Sequence, residues 1–264
     1  YAAALARTLH GDSHNSLGAD MLAVVLKEPI GVVSIITPWN FPFWILSQKL
    51  PFALAAGCTC IVKPSELTPS TTVILGDLLT EAGLPAGVVN IVLGYGQPVG
   101  ATLASDPRVD MITFTGSTAV GKGIAAAASG TLKKVALELG GKNPQIIFPD
   151  ADLDQAADAV AFGIYFNAGE CCNSGSRILV HEDIAADFTA RVVALSRKVV
   201  FGDPLHPDTQ VGAIVTPAHQ DKIDGYVQAA QAAGATVALG GAPLQVPGLA
   251  GEFYQPTVVT GVTT

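Results

Sequence analysis

Two adjacent cysteines, Cys171 and Cys172, sit in the stretch YFNAGECCNSGSR at residues 165–177. An apolar run at 159–166 leads into it and a β-prone ILV run at 178–180 leads out. A cysteine kept for packing sits inside an apolar run. These two instead lie among Asn, Gly, Glu and Ser, on a turn where backbone N–H groups can face a reacting atom. A nucleophilic thiol is the favoured reading over a structural one.

Four other places carry groups that could take part in chemistry. Asn40, in PWNFP at 38–42, can donate an amide hydrogen to a developing oxyanion, although an Asn before Phe-Pro reads first as a turn former. Lys63 and Glu66, in KPSE at 63–66, place a cation and a carboxylate just past an apolar strand. That pair suits the hydroxyls of a ribose, and equally suits a surface salt bridge. In FTGST at 114–118, Gly116 and Ser117 let backbone N–H groups and a hydroxyl approach a pyrophosphate at a helix start. The spacing there is neither G-x-G-x-x-G nor a P-loop, and the second glycine cluster at 94–100 reads as a turn with a helix start. Glu138, in VALELGG, is either a solvated strand-end charge or a general base that burial would make hold its proton more tightly. The five histidines are scattered and lie in no motif; a Cys–His hydrolase dyad stays open, and no metal-ligand set is present.

The elements that must position these groups follow from apolar periodicity. Strands are predicted at 30–36, 60–63, 88–92, 111–115 and 133–138, alternating with helices at 45–56, 69–82, 99–104 and 118–128. Residues 1–10 read as the tail of a helix and 19–26 as a further strand. Short apolar strands alternating with helices specify α/β architecture with a parallel, doubly wound sheet, whose ligands sit beyond the carboxyl ends of the strands. Gly140-Gly141 interrupts the pattern. A second αβ series follows, with strands at 145–148, 178–181, 236–239 and 255–259 and helices at 153–166, 184–199 and 217–232. The expected domains are 1–29, 30–140 and 141–264, with the cysteine loop facing the strand ends of the first sheet.

The 264 residues are 49% hydrophobic and 14% charged, which suits one large or two ordinary domains with well-buried sheets. A net charge of −8 without a basic block argues against nucleic acid or an anionic membrane as partner. No apolar run has the length of a membrane span and no signal-peptide pattern opens the chain, so the expected compartment is the cytoplasm. The four cysteines, paired as 58/60 and 171/172, fit neither a disulfide framework nor zinc ligation. The absence of an initiating Met leads to the expectation of a central fragment.

Taken jointly, PWNFP, KPSE, FTGST, LELGGKNP (137–144) and FNAGECCNSGSR (166–177) occur in the order and at the spacings of one family. The chain resembles the NAD(P)-dependent aldehyde dehydrogenase superfamily along essentially its whole length. The resemblance implies an NAD-binding domain at 30–140 and an incomplete α/β catalytic domain at 141–264, preceded by the end of a helix and part of an oligomerisation arm. It implies Cys172 as nucleophile, Asn40 with the Cys172 N–H as oxyanion hole, and Glu138 as base. Thr37, Trp39, Lys63, Ser65, Glu66, Gly116, Ser117, Val120 and Leu139 are the implied cofactor contacts. Glu66 favours NAD over NADP, because a carboxylate repels a 2′-phosphate. The implied reaction oxidises a small aldehyde to a carboxylic acid through a cysteine thiohemiacetal and thioester, in a parent enzyme that is a homodimer or homotetramer. The alternative is a non-catalytic fragment of the family that at most binds the cofactor.

Overall fold

The computed structural model describes residues 1–262; the last two positions of the expected 141–264 domain lie outside them. Two compact units, Tyr1–Gly140 and Gly141–Thr264, divide the chain.

The first unit opens with the short helix α1 (Ala2–Ala6) and two strands, β1 (Asp12–His14) and β2 (Ala23–Val25), paired antiparallel. Only the middle of the expected 19–26 strand is ordered as β2, limited by the three-residue partner it finds in β1. A five-stranded parallel sheet follows, from β3 (Val32–Ile36), β4 (Thr59–Lys63), β5 (Val89–Ile91), β6 (Met111–Gly116) and β7 (Lys134–Leu139). Its order is β5-β4-β3-β6-β7. The chain therefore runs outward from β3 in one direction, then returns to build β6 and β7 on the other side.

Alternation along β3 sends its side chains to both faces. Val33 and Ile35 join Leu46, Leu50 and Val62 in one core, covered by α2 (Pro42–Ser47), α3 (Leu50–Ala55) and α4 (Ser70–Glu81). Ile36 joins Ile112, Phe114, Leu103 and Ile124 in the other, under α5 (Ala101–Ser105) and α6 (Thr118–Ser129). Layers on both faces make the sheet doubly wound, as its apolar strands require. The single helix expected at 45–56 is instead two. Pro51, near the start of α3, has no N–H to continue the first helix, so the break falls at Gln48-Lys49.

The second unit pairs β8 (Pro144–Ile147) in parallel with β9 (Arg177–Val180). Helices α7 (Leu153–Tyr165) and α8 (Ala185–Ser196) cover the pair, with Phe188, Val160 and Ile147 at the centre of the core. Helix α9 (Pro217–Ala232) packs its Val227 with Ile214 and Tyr254. The strands β10 (Thr236–Leu239) and β13 (Val258–Thr260) pair antiparallel, as do β11 (Pro243–Leu244) and β12 (Phe253–Tyr254). Of the expected strand at 255–259 only Val258 and Val259 are in a strand, β13, and β12 lies just before it.

Candidate active site

The carboxyl edge of the parallel sheet collects the first unit's candidates. Register places Ile36 beside both Lys63 and Phe114, and Gly116 beside Leu139. Thr37–Asn40, Lys63–Glu66, Gly116–Ser117 and Leu139 therefore leave adjacent strands at one edge. The strand order reverses between β3 and β6, and that crevice is where open α/β sheets hold ligands.

Each group has a local reason for its place. Thr37 is buried and donates its N–H to the Lys63 carbonyl at 3.1 Å, tying the segment before Trp39 and Asn40 to the end of β4. Thr68 Oγ1 holds the Trp39 carbonyl at 3.2 Å. The Lys63 side chain is only 3% exposed; its Nζ donates to the Pro64 carbonyl at 2.9 Å and lies 3.7 Å from Glu66 Oε2. Ser65 is buried, and its Oγ accepts the Leu67 N–H at 3.3 Å. Ser117 caps α6, accepting the Val120 N–H at 3.3 Å. The other N–H groups of that first turn have no partner one helical turn back. Gly121 lets α6 approach β7, since a Cβ there would meet the Leu139 side chain at 2.6 Å.

Those features fit a dinucleotide. The helix terminus offers N–H groups to a pyrophosphate, and Lys63 and Glu66 offer a donor and an acceptor to ribose hydroxyls. Thr37 Oγ1 and Thr115 Oγ1, at the ends of neighbouring strands, are buried without a hydrogen-bond partner among the described residues. Orphaned buried hydroxyls are costly, and a polar ligand would satisfy them. Among the described residues no group of His, Cys, Asp or Glu side chains could hold a metal ion.

Glu138 is the penultimate residue of β7 and is exposed, as in the solvated strand-end alternative for VALELGG. Lys49 was not anticipated. It sits at the break between α2 and α3, donates from Nζ to Thr113 Oγ1 on β6 at 2.8 Å, and is held below the usual lysine range by burial. Glu138 acts in the opposite sense, which sets the two charges within electrostatic reach. The one available signal was a lone cation within the apolar stretch 41–56.

In the second unit, α7 ends at Tyr165 and a tight turn (Phe166–Gly169) leads to the cysteines. Cys172 is exposed, and its carbonyl accepts the Asn143 side-chain amide at 3.0 Å. Gln145 donates to the Gly175 carbonyl at 2.9 Å, so tightly that a Cβ on Gly175 would overlap its amide. The thiol is therefore presented on a loop tied to the start of β8. Its neighbours are chemically quieter. Cys171 is half-buried, donates to Asn173 Oδ1, and is pushed up by burial. Cys60 is fully buried and pushed up to about 11, which leaves it protonated and inert.

The aldehyde dehydrogenase family matches residues 1–264 as a whole. The chain belongs to that family. Among curated members of the aldehyde dehydrogenase family, it is 45% identical over 268 residues to betaine aldehyde dehydrogenase 1 of Oryza sativa subsp. japonica, covering 100% of this chain and 53% of that relative. The chain spans about half the length of the curated relatives it matches. Among solved members, the NAD-dependent aldehyde dehydrogenase of Sinorhizobium meliloti superposes with a TM-score of 0.96 at 54% identity, over 100% of this chain and 52% of that one. The betaine aldehyde dehydrogenase of Staphylococcus aureus, solved in complex with NAD+, gives 0.96 at 41% identity over the same shares.

Proposed function

We propose that the protein containing this chain oxidises an aldehyde to a carboxylic acid with NAD+. One observation carries the reading: an exposed thiol on a tied loop occurs in a chain whose parallel sheet gathers Thr37–Asn40, Lys63–Glu66 and Gly116–Ser117 on its carboxyl edge. Lys63 and Glu66 hold the adenosine ribose. Thr37, Trp39, Ser65 and Leu139 contribute contacts along the edge, and Gly116, Ser117 and Val120 present the α6 terminus to the pyrophosphate. The Glu66 carboxylate favours NAD over NADP. Bound NAD+ supplies the hydride acceptor.

The protein's own residues carry the remaining steps. Cys172, as thiolate, adds to the aldehyde carbon, and the carbonyl π electrons move to oxygen. Asn40 and the Cys172 N–H hold that oxyanion. Oxidation of the thiohemiacetal carbon leaves a thioester on Cys172. Glu138 then takes a proton from water as the oxygen adds to the thioester, and the thiolate departs from the acid. The names of the relatives direct the substrate search toward aldehydes bearing an amino or trimethylammonium group.

The four free cysteines support a reducing compartment, with the cytoplasm as the default. No helix among the described residues is long and apolar enough to cross a membrane. The exposed apolar residues Met21, Leu22, Val24 and Leu26 support a role for the β1–β2 segment in homo-oligomer contacts. The test is NADH absorbance with short aliphatic, aromatic and trimethylammonium aldehydes. Reduction by at least one of them is expected, and none by any would refute the proposal. Cys172→Ala should abolish hydride transfer, whereas Glu138→Gln should keep a first-turnover burst and stall afterwards.

A further inference from the structure

Glu170 lies two residues before Cys172, yet its side chain is only 8% exposed. Oε1 accepts the Val215 N–H at 3.1 Å, and His219 Nε2 lies 3.7 Å from the same oxygen. Both contacts come from the segment that enters α9, itself fixed where Thr216 Oγ1 accepts the His219 N–H. The turn on the other side of Glu170 is strained. Asn167, Ala168 and Gly169 take φ values of 50°, 56° and 75° in succession. Gly and Asn tolerate that region, whereas the Ala168 methyl crowds the following backbone. Such a run persists only where surrounding contacts over-determine it. Immediately after it, Glu170 makes the long-range bond that ties the loop down.

We propose that Glu170 is a positioning residue for Cys172: its carboxyl clasps the strained turn to the segment entering α9, and the clasp loosens when that carboxyl ionises. For catalysis this rests on Cys172 being the nucleophile; the clasp itself is a property of the loop.

Ionising that carboxyl inside the clasp buries a charge, a cost that one charge-assisted hydrogen bond offsets only in part. Burial pushes the Glu170 carboxyl up to about 7, against the Val215 bond that favours its ionised form. His219, from α9, is held below its ordinary value by burial and by Lys222 on the same helix. The thiols of Cys171 and Cys172 follow on Glu170's own loop. Rising pH thus charges a carboxyl that burial holds neutral, and opening the clasp to solvent relieves that cost.

Amide hydrogen exchange from pH 6 to pH 8, corrected for intrinsic rates, tests the clasp in the protein that carries this chain. Protection of the Val215 amide and of residues 167–172 is expected to fall about fivefold to tenfold over that range. Glu170→Gln keeps an oxygen acceptor of the same shape and should show a flat profile, while Glu170→Ala should lose protection at every pH. Alkylation of Cys172 by iodoacetamide, read by peptide mass spectrometry, should carry the same inflection near pH 7 and lose it in Glu170→Gln. A flat profile in the unsubstituted protein overturns the proposal whether or not any variant folds. A step that persists unchanged in Glu170→Gln overturns its assignment to Glu170. Neither readout uses aldehyde or cofactor, so failure to reduce NAD+ would refute the enzymatic reading alone.

Discussion

Asn143 donates its side-chain amide to the carbonyl of Cys172 at 3.0 Å, across 29 residues of chain. The bond fixes the peptide plane that follows the thiol, and with it the direction in which the side chain is offered. A net hydrogen bond of this kind is worth about 1 kcal/mol. Asn143→Ala should therefore lower kcat/KM about fivefold to tenfold and slow Cys172 alkylation, with little change in thermal midpoint. An unchanged alkylation rate would show that the loop is held by other contacts.

Lys49 and Glu138 should be energetically coupled. Burial disfavours the Lys49 cation while Glu138 favours it, so removing either changes the setting of the other. A double-mutant cycle with Lys49→Met and Glu138→Gln, read in kcat/KM, should give a coupling of about 0.5–3 kcal/mol. Additive effects would make Lys49 a packing residue that serves only Thr113.

Stability should fall as pH rises through the Glu170 transition. The folded carboxyl titrates at about 7 against 4.5 for the free group, so the native state holds the proton more tightly than the unfolded chain. The stabilisation is complete below pH 4.5 and is lost on passing 7. Glu170→Gln has no such proton to lose. Its advantage in urea unfolding should grow by about 1–3 kcal/mol between pH 5 and pH 8; a difference independent of pH would contradict a buried titrating carboxyl.

Cofactor preference should turn on Glu66. Its carboxylate is 40% exposed beside the buried Lys63, so a 2′-phosphate brought near it meets a like charge. Glu66→Gln should raise kcat/KM with NADP+ relative to NAD+ by about tenfold, roughly 1.4 kcal/mol. An unaltered ratio would place the 2′ position away from Glu66.

The apolar runs of β3, β4 and β6 could be read to within two residues, because a strand buried on both faces has no polar alternation to hide. The glycines and small residues at 116–121 also announced a strand–turn–helix junction, since only they permit the packing of α6 against Leu139. The break between α2 and α3 was legible in principle from Pro51, but the apolar pattern continues through it and masked it.

The amino-acid sequence alone determined the α/β alternation, the order of the motifs and the position of Cys172 on a polar turn, because these depend on neighbours within a few residues. Only tertiary structure decided which polar groups are buried and what they meet. Lys49 finds Thr113 across 64 residues, and Glu170 finds Val215 across 45. It also sent Glu138 to an exposed position and collected the ends of four strands on one edge. Burial and pairing at such separations depend on how distant segments pack, and no local pattern of residues records that.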